Sequence, residues 1–437
     1  MIDLSEYVRT AHTARTTLPE GRVEHLVGML VEVSGIAAAV GSQLEASVDG
    51  VPLGLEVVGF KRGHVLTAPL GATAGLKPGA PVRTRPGAAV AAVGPALLGR
   101  VIDAFGKPLD GKPPPSCGSR AALKASAPEP FSRKPIDTAL ETGVAAIDAL
   151  LPLGRGQRVG LFAGTGVGKS TLLGMLCRHS NADVIVVGLI GERGREVGDF
   201  VRSALGPEGL ARSVVVVATG DAPPFARVRG AFRATAIAEH FRAQGKHVLL
   251  LMDSVTRFAM AMREATLAAG EPPLTKGYTP SVFAALPALL ERAGNDHGPG
   301  SITAIYTVLV EGDDLQDPVA DAVRGILDGH IVLSRKLADR GIFPAVDLLK
   351  SVSRVIHDIT TDAHARAAAS ARDRIATYTD AADLIQIGAY VAGSDPRVDA
   401  ARAAMPKIEA LIRQGLTEKI ARAASIERLL AVAGSTA

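Results

Sequence analysis

The hydrophobic and polar positions divide the chain into three regions with different periods. From residue 23 to residue 90, short apolar runs broken by glycine recur about every 8 to 12 residues, the pattern of a small all-β barrel or sandwich. From 136 to 358, strand-like apolar runs alternate with helix-like segments, which predicts an α/β domain with a largely parallel sheet. From 359 to 437, apolar residues recur at helical spacing within alanine- and arginine-rich sequence, which predicts an α-helical domain.

Five apolar runs in the central region are candidate strands. They span residues 159–162, 184–189, 213–218, 248–252 and 302–308. We expect the run 184–189 to lie next to the run 159–162 in the sheet. In the C-terminal region, the apolar residues at helical spacing are Ile408, Leu411, Ile412, Ile426, Leu429 and Leu430.

Two segments fall outside these three regions. Residues 91–135 contain clusters of proline and glycine, which predict a linker rather than a packed element. Residues 1–22 are mildly amphipathic, a property that suits a partner-binding segment and equally suits a frayed terminus. The apolar residues of that segment are Ile2, Leu4, Tyr7 and Val8.

The string FAGTGVGKST, residues 162–171, predicts a phosphate-binding P-loop. A strand-like run precedes it and a helix-like run follows it, which is the context that such a loop requires. Gly164, Gly166 and Gly168 let the backbone approach phosphate oxygens without a Cβ in the way. The helix N-terminus favours anions, Lys169 would reach the β- and γ-phosphates, and Ser170 would hold Mg²⁺. A glycine-rich turn with an incidental Lys-Ser does not explain the strand, loop and helix together.

Three further residues are candidates for chemistry around the nucleotide. Asp253 ends an apolar strand and could hold Mg²⁺ through water, although a helix-capping aspartate has the same appearance. Glu192 follows the run 184–189 and could orient the attacking water, although from the residues alone a surface ion pair with Arg193 is the favoured explanation. Arg354 follows a short apolar strand, and its sequence context alone does not separate it from other surface arginines.

Composition narrows the function classes. The 437 residues suggest two or three domains, and a net charge of +4 with 4% aromatic residues and no tryptophan argues against nucleic-acid binding. No apolar run reaches the ~18 residues of a membrane span, and residues 1–16 lack the apolar core of a signal peptide, so we expect a cytoplasmic protein. Two cysteines, Cys117 and Cys177, predict neither a disulfide framework nor a metal site.

Several strings resemble the catalytic subunits of rotary ATP synthases and, more closely, the flagellar and type III secretion export ATPases. They include GERGREVGDF at 191–200, DSVTR at 253–257, GEPPLTKGYTPSVF at 270–283, EGDD at 311–314 and SVSR at 351–354. The resemblance covers roughly residues 94 to 400. It implies an α/β RecA-like P-loop ATPase core over 136–358, with an N-terminal β-barrel over 23–90 and a C-terminal helical domain over 359–437.

The resemblance also implies roles for individual residues. Lys169 and Glu192 match catalytic residues, Arg257 a phosphate-sensing arginine, and Arg354 an arginine finger supplied by the adjacent subunit. Ser170 and Asp253 match the Mg²⁺ contacts. Residues implied to bind ATP are Gly164, Thr165, Gly166, Val167, Gly168, Lys169, Ser170, Thr171 and Phe343, the last as an aromatic against adenine. Non-catalytic subunits of rotary synthases carry Gln at the position of Glu192, so a glutamate implies a hydrolysing subunit.

The function implied is a homohexameric ATPase that energises protein export, with flagellum assembly favoured over a virulence injectisome. Implied partners are a regulatory stator-like protein at residues 1–22, a central stalk protein, export chaperone–substrate complexes and the membrane export gate. The implied location is cytoplasmic and peripheral, at the inner-membrane export apparatus. Other classes with a P-loop remain: a hexameric RNA helicase, a proton-translocating synthase subunit, and a nucleotide-binding scaffold without turnover.

Overall fold

The N-terminal region is a closed barrel of six antiparallel strands in the computed structural model, which describes residues 20–85, 90–310 and 316–434. The strand order is β1-β2-β5-β4-β3-β6, and β6 pairs with β1 to close the barrel. Alternate apolar residues such as Val31, Leu44 and Leu55 fill the interior. Of the two predicted architectures, barrel or sandwich, the structure has the barrel. Its strands are β1 (Glu20–Val27), β2 (Leu30–Ser34), β3 (Gln43–Val48), β4 (Val51–Lys61), β5 (His64–Pro69) and β6 (Pro81–Arg85).

The central region is built on a nine-stranded sheet with mostly parallel pairing. Each of the five predicted apolar runs is a strand, at the predicted bounds or one residue longer at one or both ends. Long runs of Val, Ile and Leu form these strands because helices cover both faces of the sheet. The nine strands of this sheet are β8 (Arg100–Asp103), β12 (Arg158–Ala163), β13 (Val184–Ile190), β14 (Ser213–Ala218), β15 (His247–Asp253), β16 (Gly294–Asn295), β17 (Ser301–Leu309), β18 (Gly329–Val332) and β19 (Val352–Ser353). Two separate two-stranded sheets pair β7 (Val90–Val93) with β9 (Ser119–Ala122) and β10 (Ala139–Leu140) with β11 (Leu153–Gly154).

The strand order in this sheet is β19-β18-β12-β17-β15-β13-β14-β8, with β16 paired to β17. The expectation that 184–189 lies next to 159–162 is therefore wrong. The chain crosses from β12 to β13 and leaves two positions between them, which the later strands β15 and β17 fill with parallel ladders. Strands β16 and β19 pair antiparallel with their neighbours, and the other pairs of the sheet are parallel.

Helices flank the sheet and form the C-terminal region. They are α1 (Ala145–Leu150), α2 (Lys169–His179), α3 (Gly194–Asp199), α4 (Gly206–Ala211), α5 (Pro224–Ala243), α6 (Val255–Ala268), α7 (Pro280–Leu290), α8 (Pro318–Ile326), α9 (Arg335–Asp339), α10 (Ile356–Ile359), α11 (Asp362–Gln386), α12 (Pro396–Ile412) and α13 (Arg422–Gly434). A π-helical turn spans Phe200–Leu205, and 3₁₀ turns span Pro95–Leu97, Pro130–Ser132 and Thr275–Gly277. Within the described ranges, no helix combines the length and the apolar character needed to cross a bilayer.

Part of the segment predicted as a linker packs into the sheet. Strand β8 forms a parallel edge beside β14, with Ile102 fully buried. The prediction of an unpacked connector is wrong for these four residues. A strand this short gives too few alternating positions to stand out between the turns at Gly99 and Gly106.

The C-terminal helices share one apolar core with the sheet. Ile408, Leu411 and Leu429 are almost fully buried in that core, as their helical spacing indicates. Leu430 differs, because it is 41% exposed. One residue along a helix turns the side chain by about 100°, so Leu429 faces the core and Leu430 faces away from it.

The P-loop helix α2 packs unusually close to the π-helical turn. A Cβ added at Gly174 would lie 2.8 Å from the Cβ of Ala204 and 3.0 Å from its carbonyl oxygen. Real Cβ atoms do not approach so closely, and a backbone oxygen cannot rotate away. Glycine at this position therefore allows the approach that fixes helix α2 behind the P-loop.

We expect Gly174→Ala to destabilise the protein. Alanine gains about 1 kcal/mol in helix propensity, but overpacking against Ala204 costs about 1–3 kcal/mol, so the melting temperature should fall. The matched control is Gly325→Ala in helix α8, where no atom lies within 4 Å of the new Cβ and stability should be unchanged or higher. Equal melting temperatures for the two variants would contradict the packing argument.

Candidate nucleotide site

The candidate site begins at the loop between β12 and α2. Gly166 and Gly168 have φ of 80° and 92°, the left-handed region in which a Cβ is unfavourable. Gly168 directly precedes helix α2, whose first backbone N–H groups have no partner within the helix. These groups and the helix dipole make the loop suited to binding an anion.

The predicted loop residues lie together in this turn. Gly164 and Val167 are buried, whereas Thr165, Gly166 and Ser170 are exposed to solvent. The Thr165 carbonyl oxygen accepts a 3.0 Å hydrogen bond from Arg335 Nη2 at the start of helix α9. That bond holds the outer side of the loop.

Lys169 faces two carboxylates from other strands. Its ammonium donates a hydrogen bond to Asp253 Oδ1 and lies 3.7 Å from Glu192 Oε1. Thr307 Oγ1 donates to the same Asp253 oxygen at 2.7 Å. The ends of β13, β15 and β17 thus bring their side chains to the lysine, as expected where parallel strands end at one edge.

Glu192 is only 5% exposed. Burial and the neighbouring Asp253 charge raise the pKa of Glu192 to about 7, against the opposing effect of Lys169 and Arg257. Arg257 Nε lies 3.4 Å from Glu192 Oε1, and Arg257 Nη1 donates to the Gly191 carbonyl oxygen. A carboxylate with a pKa near neutrality, held between two cations, is suited to accept or orient a proton.

The structure does not show the structural alternative for either of these two acids. Arg193 is exposed and pairs with Glu196 at 3.5 Å, so Glu192 is not part of a surface pair with Arg193. Asp253 does not cap helix α6, because the Arg257 N–H donates to Ser254 Oγ at 3.2 Å instead. Both acids face Lys169.

Phe343 lies beside the P-loop. Its ring would be 3.5 Å from a Cβ on Gly168, and it is 38% exposed. It lines a cavity of about 530 Å³ together with Thr171, Arg413, Gln414 and Leu416. A planar base could enter this cavity against the aromatic face.

Sequence reasoning missed the residues at 413–416 in this cavity. Gln414 fixes that segment: its amide nitrogen donates to the Gly143 carbonyl oxygen at 2.7 Å, and its amide oxygen accepts from the Ala145 N–H at 2.9 Å. The Gln414 backbone N–H donates to the Phe343 carbonyl oxygen at 2.9 Å. Contacts over such sequence separations leave no periodic signal in the chain.

Arg354 lies at the opposite edge of the sheet from the P-loop. Its backbone N–H donates to the Asp328 carbonyl oxygen at 3.1 Å, beside Arg158, where β12 begins. The P-loop follows the other end of β12, about 16 Å away at 3.3 Å per residue. The exposed Arg354 therefore cannot reach the P-loop of its own chain.

The residues present fit a Mg²⁺ ion held together with a nucleotide. Among the described residues, no three His, Cys, Asp or Glu side chains group into a metal site. Mg²⁺ usually keeps several waters and binds one or two carboxylates and the phosphates of its substrate, so no such cage is needed. Buried Asp253, which contacts Lys169, and Ser170, the next residue after Lys169 in the exposed part of the loop, are suitable donors.

Comparison with known proteins decides the family. Residues 143–353 match the ATP synthase alpha/beta family nucleotide-binding domain, and residues 360–431 match the T3SS EscN ATPase C-terminal domain. The chain is 51% identical to the flagellum-specific ATP synthase of Salmonella typhimurium, over 91% of this chain and 90% of that protein. The chain belongs to the flagellar and type III secretion ATPases.

Other members of this family extend the match to nearly the whole chain. The type 3 secretion system ATPase of Xanthomonas euvesicatoria is 47% identical over 94% of this chain and 95% of its own length. The assembled ATPase EscN of enteropathogenic E. coli superposes with a TM-score of 0.90 at 44% identity, covering 95% of this chain and all of that one. The predicted architecture of barrel, RecA-like core and helical region is confirmed, and as a family member the chain is an ATP-hydrolysing enzyme.

We expect Glu192→Gln to stabilise the ATPase above neutral pH. The unfolded carboxyl loses its proton near pH 4.5 and the folded one near 7, so wild-type stability falls as pH rises between them. At about 1.4 kcal/mol per pKa unit, the variant gains at most about 3 kcal/mol at pH 8. Melting temperatures from pH 5 to pH 8 measure this gain, which should vanish towards pH 4.5.

The control for this experiment is Glu427→Gln on the exposed side of helix α13, where the difference from wild type should not depend on pH. A Glu192→Gln variant that is less stable than wild type at pH 8 would show that the ion pairs of Glu192 outweigh its burial.

Proposed function

We propose that this ATPase powers protein export during flagellum assembly, and that its hydrolytic site is shared between neighbouring subunits of a homohexameric ring. One observation carries the shared site. Lys169, Glu192, Asp253 and Arg257 meet at one edge of the sheet, whereas Arg354 is exposed at the other. A neighbouring subunit that places its own Arg354 next to Lys169 of the first subunit would complete the first subunit's site.

Within one subunit, the loop residues 164–171 bind the phosphates, and Lys169 neutralises the β- and γ-phosphates. Ser170 and Asp253 would hold Mg²⁺, which would supply neutralisation of the phosphate charge when bound. Phe343 packs against adenine in the cavity beside Thr171. The proximity of these groups to one another supports the assignments.

Glu192 orients and polarises the attacking water. Phosphoryl transfer needs little covalent help, so positioning and charge stabilisation supply most of the rate. Arg257 bridges Glu192 and the Gly191 carbonyl, which is consistent with a residue that responds to the γ-phosphate. Arg354 of the adjacent subunit stabilises the charge that develops on the transferred group.

The flagellar branch is favoured by the relatives. Flagellum-specific ATP synthases of Salmonella typhimurium and Pseudomonas aeruginosa are 51% and 50% identical to this chain. The Xanthomonas euvesicatoria type 3 secretion system ATPase is 47% identical. An injectisome ATPase is therefore the second candidate, and a helicase, a synthase subunit and an inactive scaffold are not favoured.

The proposed partners follow from the same family. The related EscN has been solved as an assembled ATPase and in complex with its central stalk EscO, which supports a ring with a stalk protein for this chain. We extend the proposal to a regulatory stator-like protein at residues 1–22, export chaperone–substrate complexes, and a peripheral position at the inner-membrane export gate. Residues 1–19 and the EGDD string at 311–314 lie outside the described residues.

We expect the ATPase rate per subunit to rise with protein concentration. In Arg354→Ala it should fall by about 10³-fold or more, because a finger in trans typically contributes ~10³–10⁵ to the rate. Nucleotide affinity should persist, since Lys169 and the loop are unchanged. Steady-state kinetics with equilibrium binding of a fluorescent ATP analogue measure both.

The control is Arg428→Ala, an exposed arginine on helix α13, which should behave as wild type. A rate that is independent of concentration, together with an active Arg354→Ala variant, would leave each subunit with a self-contained site.

A further inference from the structure

The strand that ends at the P-loop is anchored, at its start, to the segment that carries Arg354. Asp328 Oδ2 accepts hydrogen bonds of 3.0 Å from the backbone N–H and from Nε of Arg158, and Asp328 Oδ1 accepts one of 3.0 Å from Arg158 Nη2. Arg158 is the first residue of β12. A bidentate pair with an added backbone bond fixes both the position and the orientation of Asp328.

The backbone of Asp328 in turn holds Arg354. The Asp328 carbonyl oxygen accepts from the Arg354 N–H at 3.1 Å and from Gln157 Nε2 at 3.0 Å. Gln157 is fully buried, and its Nε2 also lies 3.3 Å from Ser353 Oγ. The buried Gln157 amide therefore contacts both Asp328, which binds the Arg354 backbone, and Ser353, which precedes Arg354 in the chain.

The backbones of β18 and β19 lie very close together beside the Gln157 amide. A Cβ on Gly329 would lie 2.5 Å from the Val352 carbonyl oxygen and 3.2 Å from Gln157 Nε2. Strand β19 consequently lies against β18 at the closest approach that glycine permits. Among the described residues, the Arg354 guanidinium makes no hydrogen bond or ion pair, so its location depends on its backbone.

We propose that Gln157 and Asp328 are positioning residues for Arg354. Through these two residues, Arg354 is attached to the start of β12, and the end of β12 leads into the P-loop of the same subunit. Arg354 itself is the residue that the subunit presents to its neighbour. The proposal rests on the proposed function of Arg354. It assigns Gln157 and Asp328 to the finger-donating side of each interface, not to the nucleotide-binding side.

Mixed rings test this assignment. Lys169→Ala subunits lack a working loop but can donate Arg354, and Arg354→Ala subunits have a working loop but no finger. Neither variant alone should hydrolyse ATP, and a mixture should regain activity at interfaces where both halves are intact. Asp328→Asn is then placed either in the Lys169→Ala donor or in the Arg354→Ala acceptor.

We expect the donor placement to lower the kcat of the mixture by about 10- to 100-fold, because a small misplacement of a catalytic group costs that much. The acceptor placement should change kcat by less than about 2-fold, and the KM for ATP should stay the same in both. The matched control is Asp321→Asn, which breaks an exposed pair with Arg324 on α8 and should affect neither arm.

Equal losses in the two arms would overturn the positioning role and leave a general structural one. If the mixture without Asp328→Asn regains no activity, the shared site itself fails, and this proposal fails with it. Ser353→Ala is a milder second variant, since it removes only the Gln157 contact and a 2.8 Å bond to the Pro152 carbonyl. It should lower donor activity several-fold and leave the acceptor unaffected.

Discussion

The direction of the strands in the central sheet is the constraint on which the site depends. Strands β12, β13 and β15 run in parallel, so the P-loop, Glu192 and Asp253 all emerge at one edge. Strand β19 runs antiparallel to β18, and Arg354 therefore emerges at the opposite edge. No side-chain rotation can bring Arg354 to its own P-loop across about 16 Å of strand. The topology thus divides the proposed machinery between two faces of one subunit.

At the P-loop edge, two cations oppose the effects of burial and of the neighbouring carboxylate on Glu192. Glu192 and Asp253 are both nearly buried, and burial, together with the neighbouring Asp253 charge, raises the pKa of Glu192. The positive charges of Lys169 and Arg257 offset part of this rise in the pKa of Glu192. The balance leaves Glu192 with a pKa near the pH at which it would work, where a general base is most effective.

The sequence was most informative where the chemistry is local. The loop 164–171 could be predicted because a strand, a glycine-rich turn and a helix are contiguous, and the five central strands because their apolar runs are long. The position of β13 could not, because strand order depends on strands that follow later in the chain. Strand β8 is too short to show an alternating pattern, and the cavity segment 413–416 is placed by contacts with residues far away in the sequence.

Arg354 illustrates the same limit. The residues around Arg354 do not distinguish it from other exposed arginines, and only the family resemblance singled it out. The position of Arg354 depends on the register of the sheet, which places it beside Asp328 near the start of β12. The residues next to Arg354 in the sequence carry no information on that register. Gln157 shares the Asp328 carbonyl oxygen with the Arg354 N–H, and no role for it could be inferred from the sequence, because its contacts with Asp328 and Ser353 span 171 and 196 positions of the chain.

The most direct measurement is a structure of the assembled ring with ADP, Mg²⁺ and aluminium fluoride, which mimics the transferred phosphoryl group. We expect the Arg354 guanidinium of one subunit to lie within hydrogen-bond distance of the fluoride bound beside Lys169 of its neighbour. An occupied site in which the neighbour's Arg354 points into solvent, with every contact to the fluoride made by one chain, would contradict the shared site.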